Sequence, residues 1–205
     1  MKLQLRAEME LVKGFVEVAE RDGYPLPPDR PEPGGLPRRT DEVVTLAQHF
    51  GVPTCQLDFS RDPRVAMFWA LHGNADAPNA SLAVWALRVG DCRLVSFLNH
   101  ARSRNPHLLA QDGVAIVIPM EDHFLRSEGR LPSLEEFGGI PDGALVKFEL
   151  PCAERDELRR LLEVSGVSWS RMTPGYAGAA RTVIARYEPG FPIKRRRVRM
   201  SLLVS

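Results

Sequence analysis

The chain has 205 residues, 44% hydrophobic and 26% charged, with a formal charge of +1 at pH 7. That length defaults to one domain with room for a real core, and the composition is that of a globular protein rather than a disordered or fibrous one. A balance this near neutral, with an isoelectric point of about 7.8, excludes a global nucleic-acid-binding field and leaves any such contact to a local basic patch.

Lys2, Lys13, Lys147 and Lys194 are the only lysines, so the positive charge is almost all arginine. Guanidinium groups suit phosphate and carboxylate recognition, and a GC-rich genome gives the same bias. No run of about 18 apolar residues offers a membrane span, and the opening MKLQLRAEMELVKGF lacks the apolar stretch of a signal peptide. Cys55, Cys92 and Cys152 are odd in number and far apart, which fits neither a disulfide framework nor a CxxC metal site. A reduced, cytoplasmic protein is the expectation.

The first predicted element is an amphipathic helix over 2–22, where Leu5, Met9, Val12, Val16 and Ala19 recur at helical spacing before Gly23. The Pro-rich stretch 24–39 excludes helix interior and central strand, and is expected to be an extended surface connector. Helix 41–50 follows, with Thr40 as N-cap, Asp41 and Glu42 at the positive end of its dipole and Gly51 as its stop. Asp62 caps the next helix, Pro63 takes its first position, and an almost wholly apolar run to Gly73 marks it as buried. Strands are predicted at 81–89, 114–119, 144–150 and 182–187, with a helix at 154–165 between the last two. Helices first and strands later, without strict alternation, give an α+β fold: a helical N-terminal half on a mainly antiparallel sheet from the second half. The whole of 1–205 reads as one domain, ending in a basic tail over 194–205 that carries KRRRVR.

Unusual residues concentrate in LAQHFGVPTCQLDFSRDP, a predicted loop held between two helices. His49, with an unperturbed pKa near neutrality, suits a general base or orienting group, and equally a hydrogen-bonded helix end. Asp58 suits a ribose hydroxyl or an orienting contact to His49, and equally a turn-starting bond to loop amides. Gln48, Thr54 and Ser60 suit hydroxyl or phosphate contacts as well as capping. Cys55 near His49 raises a nucleophile reading, which no third orienting residue supports. The five histidines show no paired metal-ligand spacing, so no metal site is predicted. P-loop, GxGxxG and GxSxG motifs are absent. A second polar cluster, 99–113, offers Arg102, Arg104 and His107 as an anion-binding edge, with Gln111 just before the turn Asp112–Gly113.

LAQHFGVPTCQLDFSRDPRVAMFWAL resembles the signature segment of the FRG domain family, through Gln48, His49, Gly51, Pro53, Thr54, Leu57, Asp58, Pro63 and Ala66. Phe59 and Ser60 stand where that family usually has Trp and Thr. Two weaker likenesses follow: Asn105-Pro106 through Gln111-x-Gly113, then Lys147 with the 154–165 helix and Pro174–Tyr176–Gly178. The (F/Y)RG triplet that names the family is not among these residues. Cys55 replaces a usual Arg, and His107 another, which weakens any phosphate-binding role the family implies.

The resemblance implies a fold more firmly than an activity. The family's Arg-Gly on a first strand, followed by a polar Ser/Thr element (Ser60 or Thr54 here) and a late Gln or Glu (Gln111 here), is further similar to the pattern of ADP-ribosyltransferases, an analogy at fold level. It implies His49, Asp58 and Gln111 in catalysis, Gln48, Thr54, Ser60 and Arg104 in ligand binding, and NAD as cofactor. The setting implied is bacterial defence or conflict, with nucleic acid as an acceptor. The alternative is a non-catalytic ligand-binding or interaction module, or a degenerate relative.

Overall fold

Helix α1 (Leu3–Arg21) turns one stripe inward: Val12, Val16 and Ala19 are buried, while Leu5 and Met9 at the start of the same stripe stay exposed. Its partner is α2 (Asp41–His49), and Val12, Val16, Val43 and Ala47 form a small core with Val52. The computed structural model describes residues 3–27, 41–73, 81–92, 96–98, 106–117, 126–130, 132–137 and 139–187. Most of the predicted Pro-rich connector, Arg102, Arg104 and the basic tail lie outside the described residues. Among the described residues, no helix is long and apolar enough to cross a membrane.

Gly51 ends α2 as its sequence predicts. At φ +93° it takes a conformation that side chains disfavour, and the Gly51 and Val52 amides donate to the Gln48 and Ala47 carbonyls at 2.8 and 3.0 Å. This Schellman closure satisfies the last carbonyls of the helix and sends Val52 back into the core. The chain then enters β1 (Gln56–Ser60), where a loop is predicted. The alternation Gln-Leu-Asp-Phe-Ser makes the strand: Phe59 packs on a core, while the even positions share the opposite face.

The prediction for the start of α3 (Pro63–Gly73) holds. The Asp62 carboxylate accepts the Arg64 amide at 2.9 Å, with Pro63 in the first turn where no amide is missed. Val65, Phe68 and Leu71 of α3 are buried with Leu82, Leu162, Val167 and Met172. Each such large side chain contributes about 1.5–3 kcal/mol on burial.

Strand β2 (Leu82–Leu87) and strand β5 (Leu145–Leu150) form an antiparallel pair. A second sheet has the order β1-β4-β3, with β3 (Ser96–Leu98) and β4 (Gly113–Val117), all antiparallel. Val114 and Ile116 of β4 pack with Cys92, Phe137 and Ala144 beneath this sheet. The predicted α+β class stands, with β1 from the helical half joining the sheet.

Helix α4 (Pro106–Ala110) precedes β4, and α5 (Arg155–Val164) follows β5 as predicted. A short α6 (Trp169–Met172) then leads into α7 (Tyr176–Tyr187). Here the predicted strand 182–187 is corrected: these residues are the second half of α7. Thr182, Val183 and Ile184 are β-branched, but Ala177, Ala179, Ala180 and Ala185 favour helix. Gly178, Thr182 and Ala185 share the helical face turned inward.

Candidate functional site

The even positions of β1 face α2. The Thr45 hydroxyl donates to Gln56 Oε1 at 2.6 Å, with both residues buried. One turn along α2, the Gln48 side chain takes the next place. Its Oε1 accepts the Thr54 hydroxyl at 2.5 Å, and the same side chain hydrogen-bonds the Asp58 carboxyl. Thr54, Gln48 and Asp58 are therefore linked through one amide. Surrounding protein raises the Asp58 pKa, and the Gln48 bond partly offsets that shift. The residue as a whole remains exposed, so the effect belongs to the carboxyl's immediate setting and is moderated by solvent.

His49, next along α2, stacks on His107 of α4 with ring centroids 4.3 Å apart and planes tilted by 39°. Burial, then the neighbouring His107, lower the His49 pKa. The His49 ring therefore resists protonation and is largely uncharged near neutral pH. Ser60, at the end of β1, donates its hydroxyl to the Gln111 carbonyl at 2.7 Å and accepts the Asp62 amide at 3.1 Å. Gln111 thus sits beside β1, in register with the Ser60–Gly113 pair. Its side-chain amide points elsewhere, donating to the Met172 carbonyl of α6 at 2.9 Å.

The structure thus joins Gln48, Thr54 and Asp58, joins His49 to His107, and joins Ser60 to the Gln111 main chain. The Gln111 amide is engaged outside this group. Arg104 lies outside the described residues. Arg61 and Arg64, flanking the end of β1, pair with Asp112 at 3.7 Å and Asp62 at 2.7 Å.

Three contributors go unpredicted. Thr45 and Gln56 form the buried bond that aligns α2 on β1, and Glu8 of α1 accepts the Cys55 amide at 2.5 Å. Thr45 stands three residues before Gln48, and Gln56 two before Asp58, so helix and strand periods mark both once β1 is recognised.

A concavity lies elsewhere, between α3, α5, α6 and α7. Phe68, His72 and Trp169 form its aromatic wall, and Arg159, Ser168 and Thr182 border it. His72 there has its pKa lowered to about 4 by burial and then by Arg159 and Arg155.

The fold is α+β, with the polar side chains Gln56, Asp58 and Ser60 on one face of a short strand beside the C-terminal turn of α2. The FRG domain profile matches residues 27–79, a span that takes in α2, β1 and α3. That match bears out the resemblance over the segment that carries its main motif. No curated protein and no solved structure matches the chain.

Proposed function

We propose that the β1 face binds a nucleotide-class ligand, with NAD or another ADP-ribose-containing molecule as the candidate. The supporting observation is the stacking of His49 on His107, on the helix turn that also fixes Asp58 through Gln48. Flat aromatic rings suit contact with a base, and a carboxylate held in place accepts ribose hydroxyls. The ligand's phosphates have to draw Arg61 or Arg64 from its present carboxylate partner. Titration calorimetry and thermal shift with NAD, ADP-ribose and ATP test the reading, because a ligand that binds the folded state raises its melting temperature. At least one is expected to bind, with His49→Ala and Asp58→Asn each losing most of the affinity. Absence of binding by all three, or binding indifferent to both substitutions, rejects it.

A second reading, ADP-ribosyl transfer, draws on one contact. Ser60 holds the Gln111 main chain, so the hydroxyl and amide of the transferase-like pattern belong to neighbouring positions. Transfer requires the Gln111 amide to leave the Met172 carbonyl. Nicotinamide release from NAD, abolished by Gln111→Ala while NAD binding persists, separates transfer from binding alone. Binding without release leaves a non-catalytic module.

A further inference from the structure

The segment Leu145-Val-Lys-Phe-Glu-Leu150 is pseudo-symmetric about Phe148, with Lys147 and Glu149 flanking it and Val146 and Leu150 outside them. One edge of this strand, β5, pairs with β2; among the described residues no strand occupies its other edge. Val146 and Phe148 are 42% and 61% exposed on one face, while Lys147 and Glu149 share the other. A two-stranded sheet is marginal by itself, and an open edge is a template for another strand.

We propose that β5 is a two-fold contact between copies of this chain, pairing antiparallel with its counterpart about Phe148. The occupant is a second copy because the charge pattern complements itself. With Phe148 opposite Phe148, each Lys147 faces the other copy's Glu149, and each Val146 faces a Leu150. Registers centred on Lys147 or on Glu149 put like charges opposite each other, which is unfavourable. Lys147 and Glu149 already pair at 2.6 Å within the strand, and Lys147 lies 5.6 Å from the centre of the Trp85 ring. The dimer exchanges one within-strand pair in each copy for two pairs between copies. Pro151, which has no amide hydrogen, ends the ladder opposite Leu145. The product is a four-stranded sheet, β2-β5-β5-β2, with an isologous contact. A contact this short falls at the small end of specific interfaces, so a weak, concentration-dependent dimer is expected.

Sedimentation equilibrium of the full chain over a concentration series tests this. The parent protein is expected to dimerise, and Lys147→Glu and Glu149→Lys are each expected to weaken association at least about tenfold. An equimolar mixture of the two variants restores the dimer, because each now supplies the other's missing charge. The double variant, with both charges exchanged, self-associates like the parent. A parent that stays monomeric, a dimer indifferent to both single changes, or a mixture that fails to associate overturns the proposal. Circular dichroism and melting curves confirm that the variants fold; if a single variant does not, the double variant and Phe148→Ser decide in its place. Self-association of the double variant with loss in Phe148→Ser supports the contact, and any other combination overturns it.

Discussion

Asp58 carries opposing demands. The site reading needs its charge, while its surroundings raise its pKa and so make ionisation unfavourable. A raised carboxyl contributes stability at low pH and loses that contribution as pH rises through the folded-state pKa. Asp58→Asn is therefore expected to keep or slightly raise the melting temperature at pH 7 while losing ligand affinity. A clear fall in melting temperature assigns Asp58 to the scaffold instead. Thr45 is the reverse case. Its hydroxyl serves a buried Gln56 oxygen, so Thr45→Val leaves that acceptor without its donor, at a cost of about 1–3 kcal/mol in urea unfolding. A loss below a few tenths of a kcal/mol shows that water or a shifted side chain replaces the bond. Residue types in the signature segment were readable directly from the sequence. Their partners were not: His49 meets His107 and Ser60 meets Gln111 only because β1 pairs with β4.

Elements were readable where local chemistry marks an end. Asp62-Pro63 starts α3 and Gly51 stops α2, because caps and left-handed stops act within a few residues. β1 was missed because it is short and polar on one face, although its alternation is visible in Gln56–Ser60. Residues 182–187 read as a strand because Thr182, Val183 and Ile184 are β-branched, whereas the surrounding alanines carry the helix through them. The α6–α7 junction supplies a sharp test. A Cβ on Gly178 falls 1.9 Å from the Thr173 carbonyl and 2.7 Å from that of Trp169. The Thr182 hydroxyl meanwhile donates to the Gly178 carbonyl at 2.9 Å. Gly178→Ala forces the two helices apart and is expected to cost about 3 kcal/mol. In helix alone the same change would stabilise, so a measured gain in stability rejects this close approach as the reason for Gly178.

The molecule's response to acid follows from two histidines. The folded-state pKa of His72 lies near 4, against about 6.5 in an unfolded chain, and that of His49 is lowered as well. For a base depressed by folding, the unfolded chain takes up protons first. Its stability contribution is complete above about pH 6.5 and drains away as pH falls toward 4. Asp58 acts in the opposite direction, so the fall is net of a smaller gain. Urea midpoints are expected to drop between pH 7 and 4.5, and His72→Gln to flatten that drop. An unchanged slope in the variant removes His72 as its cause.

The Glu8–Cys55 contact gives the whole assembly a built-in clock. Cys55 is a thiol only 8% exposed, at the point where α1 grips the chain entering β1. Reagent is expected to reach it when that grip opens, whereas Cys92 lies in the core with Val114 and Ile116. Timed alkylation in native buffer, read by mass spectrometry, thus times the release of α1 separately from the opening of the second core. Glu8→Gln is expected to quicken modification of Cys55 and leave that of Cys92 unchanged. Equal acceleration at both thiols would mean that α1 and the sheet open together, as one cooperative unit.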